Sequence, residues 1–163
     1  MLTHINSHER MNYQNASPGG MKALIGLERF LATCGLEKNL IDLVKLRASQ
    51  INGCAYCIDM HSKDLRANGE SEQRLYELDA WQETPFYTER ERAALLWTEA
   101  VTRVADTHVP DSVYEQVRQQ FTETELTNLT LAIGTINVWN RLCISFRTEP
   151  GTYQSTRRAS PIN

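Results

Sequence analysis

Two thiols and an imidazole lie at helical spacing in the run Gly53, Cys54, Ala55, Tyr56, Cys57, Ile58, Asp59, Met60, His61. In a helix beginning at about Cys54, positions i, i+3 and i+7 share one face, so Cys54, Cys57 and His61 form a patch with His61 one turn beyond Cys57. The positive end of a helix and a neighbouring base both lower a thiol's pKa, which favours a reactive thiolate there. Gly53 can supply the backbone angle of the turn into the helix, and Asn52 can accept a bond from a first-turn amide. A CxxC pair one turn apart is near the limit of disulfide geometry, and the strain suits it to cycling. The chemistry would be thiolate attack on a peroxide, a sulfenic acid, then capture by the second thiol with loss of water. Cys54 is nearer the helix terminus and Cys57 nearer the base. We take Cys57 as the attacking thiol and Cys54, expected nearer the surface, as the thiol that resolves it and meets the reductant. The plainer alternative is two buried thiols beside a satisfied core histidine.

Asp42 precedes this patch on the same stretch of chain. If the turn reverses the chain, its carboxylate comes back toward His61 and orients the imidazole, as a third group does at other activated nucleophiles. Equally, Asp42 can pair with Lys38 at i−4 or Lys45 at i+3; spacing leaves both open. Zinc competes for the same side chains, since Cys54, Cys57, His61 and Asp42 make four conceivable ligands. Structural zinc draws on loops or two knuckles, however, and the chain has no second Cys/His cluster, so no metal is assigned. Tyr56, Trp97 and Trp139 are candidates to line a substrate cleft, although aromatics at helical spacing also build cores. Cys34 and Cys143 lie among apolar residues, read as small buried hydrophobes and receive no role.

The elements that must position these groups read as helices. Ser17 and Pro18 open one over 18–34 that stops at Gly35, and Leu36, Leu40, Leu43, Val44, Ala48 and Ile51 recur with a helical period up to the cysteines. Asn52-Gly53 also resembles a hairpin turn, but the flanking period is near 3.6, not 2. The cysteine helix runs over 54–68 to Asn68-Gly69, and Ser71 caps a short helix to about residue 78. The stretch 81–87 reads as a loop containing Pro85. Thr88 with Glu91 and Thr122 with Glu125 form capping boxes, and Pro110 opens a helix between them. The first box starts a helix burying Ala93, Ala94, Trp97, Ala100, Val101 and Val104. The second starts a long helix to about Phe146 that is apolar almost all round, hence central or at a subunit contact. No strand pattern appears. The expected architecture is one all-α domain over 1–163 with about seven helices, an N-terminal arm over 1–16 that orders against a partner or another subunit, and a tail over 148–163.

A chain of 163 residues suits one domain able to build its own core. Its net charge of −3, with Lys and Arg scattered among acids, argues against nucleic acid. Residues 1–15 hold His4 and His8 but no apolar core of a signal peptide, so neither export nor membrane insertion is signalled and a cytoplasmic location is expected. Four cysteines are too few for a disulfide scaffold, and a close pair in a reducing compartment points to redox or metal chemistry.

The run from Leu43 to His61 resembles the signature of the AhpD-like, carboxymuconolactone decarboxylase superfamily, and the similarity continues through Thr88, Glu89, Arg90, Glu91, Trp97, Asn137, Trp139, Asn140 and Arg141. The resemblance implies an all-helical homo-oligomer, with a hexamer favoured over a trimer. It also implies a thiol-dependent peroxidase that reduces an organic hydroperoxide or hydrogen peroxide at the expense of a dithiol reductant. On that pattern Asp42, Cys54, Cys57 and His61 form a proton relay, and no cofactor is needed beyond a redox-active Cys54–Cys57 disulfide. Asp42 stands where the family has Glu, one methylene shorter, and Tyr56 stands where the alkyl hydroperoxidase has His. Family members acting on carboxymuconolactone generally lack the cysteine pair, so a lyase or isomerase working through His61 on a small lactone is the second reading. A non-enzymatic redox-sensing module is the third.

Overall fold

Capping residues and apolar periodicity set the boundaries of the elements. The computed structural model describes residues 9–156, and among these the regular structure is entirely helical. The order is α1 (Tyr13–Ala16), α2 (Pro18–Leu31), α3 (Lys38–Asn52), α4 (Ala55–Ala67), α5 (Glu72–Tyr76), a 3-10 segment (Leu78–Glu83), α6 (Glu89–Thr102), α7 (Val104–Thr107), α8 (Asp111–Arg118) and α9 (Glu123–Phe146). Both capping boxes form, with Thr88 and Thr122 accepting from the amides of Glu91 and Glu125 while those glutamates reach back to the cap amides.

The expected helices are present, with three additions. The single turns α1 and α7 are too short for a period to show, and part of the expected loop is the 3-10 segment. The helix opened by Pro18 ends at Leu31, ahead of the left-handed Gly35. The α6 helix stops at Thr102, which leaves Val104 exposed rather than buried.

α3 is the axis of the fold, packed by α4, α6 and α9. One core cluster joins α2, α3, α6, α8 and α9 through Leu31, Val44, Ala94, Val117, Leu129 and Ile133. A second, on the other side of α3, gathers Leu43, Leu46, Leu65, Leu78, Trp81 and Leu95. A third and smaller one holds Ala48, Cys54, Cys57, Ile136 and Cys143. The long α9 is central, as its all-round apolar pattern requires, and still presents Leu131, Val138 and Ile144 outward.

Both ends of the described chain fold back on this body. The expectation that the arm orders only against a partner is not met from Glu9 onward. The Arg10 amide donates to the Phe146 carbonyl at 3.0 Å, and Tyr13 stacks on Phe146 with ring centroids 5.5 Å apart. The tail crosses α4, where Tyr153 and Ser155 donate hydroxyl bonds to Asp64 at 2.8 and 2.6 Å. His4, His8, Arg157 and Arg158 lie outside the described residues. No described helix is long and apolar enough to cross a membrane.

Candidate active site

The turn between α3 and α4 creates the site. Gly53 takes φ +68°, the left-handed conformation that a side chain resists, and closes α3 as its C-cap. The chain then re-enters a helix one residue later, so Cys54 becomes the N-cap of α4 and the Cys57 amide donates to its sulfur at 3.4 Å. Asn52 does not cap α4. It is the last residue of α3, and its amide donates to Asn137 and Asn140 of α9 at 3.0 and 2.8 Å, so glycine does the turning and asparagine fastens the turn to the central helix.

Cys54 and Cys57 are joined as a disulfide with Cα atoms 5.4 Å apart, within the span such a bond covers. The expectation that Cys54 lies nearer the surface is not met: each cysteine is 1% exposed. They differ in what they face. Cys57 lines a cavity of about 350 Å³, whereas Cys54 is not part of its wall.

That cavity brings together most of the residues singled out from sequence. Asp42, Tyr56, Cys57, His61 and Trp139 all line it. His61 is 6% exposed and reaches the wall one turn beyond Cys57, as its spacing requires. Asp42 accepts from Lys38 Nζ at 2.9 Å and from Asn68 Nδ2 at 3.3 Å, so the i−4 ion pair forms while the carboxylate still borders the cavity. Burial pushes the Tyr56 phenol above its ordinary pKa, with Cys143 and Asp59 adding to the effect, so Tyr56 stays neutral at working pH. Trp97 lies elsewhere: it is buried in the first core cluster and donates to Thr130 at 2.9 Å.

The sequence gives other wall residues no site role. Glu28 of α2 accepts from Lys45 Nζ at 2.5 Å through one oxygen and from Trp139 Nε1 at 2.9 Å through the other. Lys45 therefore pairs with Glu28, 17 residues away, and not with Asp42. Tyr13, Asp64 and Cys143 also line the cavity. The one available sign was polarity out of place: Glu28 interrupts the apolar stripe of α2, and Lys45 stands between Val44 and Leu46.

The zinc set that the sequence allowed is not what is gathered. Among the described residues, the ligand atoms lying within 4.8 Å of one another are the sulfurs of Cys54, Cys57 and Cys143, without His61 or Asp42. The three could hold an ion only after the disulfide opened, as thiolates and not disulfide sulfurs are the ligands.

Comparison with known proteins agrees with this architecture. Residues 18–100 match the model of the carboxymuconolactone decarboxylase family. The uncharacterized protein YdfG of Bacillus subtilis (strain 168) is 42% identical over 137 residues, covering 84% of this chain and 93% of YdfG. The crystal structure of ATU0492 from Agrobacterium tumefaciens, a protein of unknown function proposed to be the antioxidant defence protein AhpD, superposes with a TM-score of 0.86. It is 46% identical and covers 90% of this chain and all of that one. The debrominase Bmp8 has the same fold, with a TM-score of 0.77 at 18% identity over 85% of this chain and 75% of its own. With its cysteine-bearing helix and its matched span, the chain belongs to the AhpD-like, carboxymuconolactone decarboxylase family.

Proposed function

We propose that the protein is a thiol-dependent peroxidase, with the Cys54–Cys57 pair as its redox centre. The observation that carries this reading is that Cys57, one member of the pair, opens on a cavity that also holds His61 and Asp42. A hydroperoxide entering there meets sulfur and base together.

In the reduced protein His61 takes the Cys57 proton, and the thiolate attacks the terminal oxygen of the hydroperoxide. The O–O bond breaks, the alcohol leaves with the proton, and Cys57 becomes a sulfenic acid. The Cys54 thiol displaces water from it, closing the disulfide, and an external dithiol returns both cysteines to thiols. Asp42 acts through His61 as a positioning carboxylate, with Lys38 and Asn68 holding it in place. Neutral Tyr56 and Trp139 form the apolar and hydrogen-bonding side of the cleft. The cycle needs no cofactor beyond the disulfide. We read the protein as a cytoplasmic homo-oligomer, a hexamer ahead of a trimer, and the outward Leu131, Val138 and Ile144 of α9 support an assembly face.

The test is consumption of cumene hydroperoxide with dithiothreitol as donor. Cys57→Ser is expected to abolish it and Cys54→Ser to remove most of it; activity surviving in Cys57→Ser would discard the peroxidase. Thiol titration before and after peroxide should show two thiols lost together and regained on reduction.

A further inference from the structure

A third sulfur stands beside the pair. Cys143 of α9 is 4% exposed, belongs to the same small cluster as Cys54 and Cys57, and lines the same cavity as Cys57. Its Sγ lies within 4.8 Å of both other sulfurs. The three sulfurs are thus gathered in one packed cluster, which thiol–disulfide exchange among them requires.

The surroundings of Cys143 suit a thiol that reacts. The Tyr13 hydroxyl is 3.8 Å from its sulfur, a hydrogen-bonding distance for sulfur in which the phenol can support a thiolate. Burial, with Cys143 next in effect, pushes the Tyr13 phenol above its ordinary pKa, so it retains its proton for donation. Cys34, the remaining free cysteine, has no place in this cavity.

We propose that Cys143 is a third redox thiol, able to form a disulfide with Cys57 in place of Cys54. In the oxidised protein the Cys143 thiolate attacks Cys57 Sγ, a Cys57–Cys143 bond forms, the Cys54–Cys57 bond breaks, and Cys54 leaves as thiolate and takes up the proton Cys143 gave. No electrons are gained or lost: one disulfide and one thiol become another disulfide and another thiol. The exchange moves the oxidised bond from a pair with one sulfur on the cavity wall to a pair with both there, where a dithiol reductant can reach it.

The biological role of this step rests on the peroxidase reading, but its test does not. The Cys54→Ser protein is oxidised with diamide, which takes two electrons from any two adjacent thiols and needs no peroxidase chemistry. It is then alkylated, digested with trypsin and mapped without reduction. Cys57 falls in the peptide 48–63, Cys143 in 142–147 and Cys34 in 30–38, so each pairing has its own mass. The expected product is 48–63 joined to 142–147, lost on adding Cys143→Ser. An alkylated Cys57, or its linkage to 30–38 or to a second copy of 48–63, overturns the proposal. Circular dichroism verifies the fold, and Cys54→Ala serves if the serine variant is unfolded. Absence of cumene hydroperoxide turnover in the unsubstituted protein, with the cross-link still formed in Cys54→Ser, would reject the peroxidase while leaving the third thiol intact.

Discussion

Lys45 and Arg47 stand two positions apart on α3, about 200° around the helix axis, and both are nearly buried. Arg47 faces α6 and the 3-10 segment. Its guanidinium donates to Glu99 at 3.0 and 2.9 Å, contacts Asp79, and reaches Gln50 at 3.2 Å, while Trp81 donates to the same Glu99 oxygen at 2.8 Å. Lys45 faces α2 and the cavity, and among the described residues it is paired with Glu28. One buried cation borders a cavity of about 340 Å³ walled by Asp79, Trp81 and Glu99, and is bonded on several sides, tying three elements together. The other borders a cavity whose wall also holds Cys57, Cys143 and His61. A buried charge is therefore not by itself a sign of chemistry; what else borders it decides whether it fastens or reacts.

Loss of a side chain on one face of α3 should differ in kind from loss on the other. On the cavity face, His61→Ala should lower hydroperoxide turnover by roughly 10²–10⁴-fold, the usual worth of a positioned general base, with little change in the unfolding midpoint. An unchanged rate would remove His61 from the reaction. On the opposite face, Arg47→Ala leaves Glu99 without its cation, with only the Trp81 bond on the same oxygen, and should cost about 3 kcal/mol in urea unfolding, with turnover per folded molecule unaltered. Equal stability of the variant would mean that the Arg47 network fastens nothing.

A smaller effect is expected at the turn that both faces share. An added Cβ at Gly53 meets nothing within 4 Å, so Gly53→Ala isolates the cost of a side chain at φ +68°. That cost should be about 1 kcal/mol, read as a lowered thermal midpoint, and no change would show that the turn relaxes freely. Smallest is the acid response of the surface tie between α3 and α6. Glu37 is held below the usual carboxylate range by the Arg90 bond, and Glu125 by the Thr122 amide and then Arg90. Folded values lower than unfolded ones mean that this stabilisation is present above the ordinary value of 4.5 and is lost as pH falls through the depressed range. Urea unfolding across that interval should show it, and Arg90→Gln should flatten the slope.

Local signals were legible where one helix decides the outcome. The spacing of Cys54, Cys57 and His61 is enough to put Cys57 and His61 on one wall, and the two capping boxes locate α6 and α9 without any tertiary knowledge. What the sequence hid comes from chain brought in over long distances. Tyr13 and Cys143 meet across 130 residues, and Glu28 meets Trp139 across 111, with no periodicity to link them. Cys143 reads as an ordinary apolar position of α9 because it is one; only the approach of α4 gives it sulfur neighbours. Asn52 departs from its expected capping role for a related reason: its side chain answers to α9 rather than to the adjacent turn.

Cys54 sits just outside α4, yet its sulfur is the acceptor for the first turn of that helix. A sulfur that carries negative charge holds an amide better than one spent in a covalent bridge. The first turn of the helix that brings His61 to the cavity wall is therefore tied to the same sulfur that closes the disulfide.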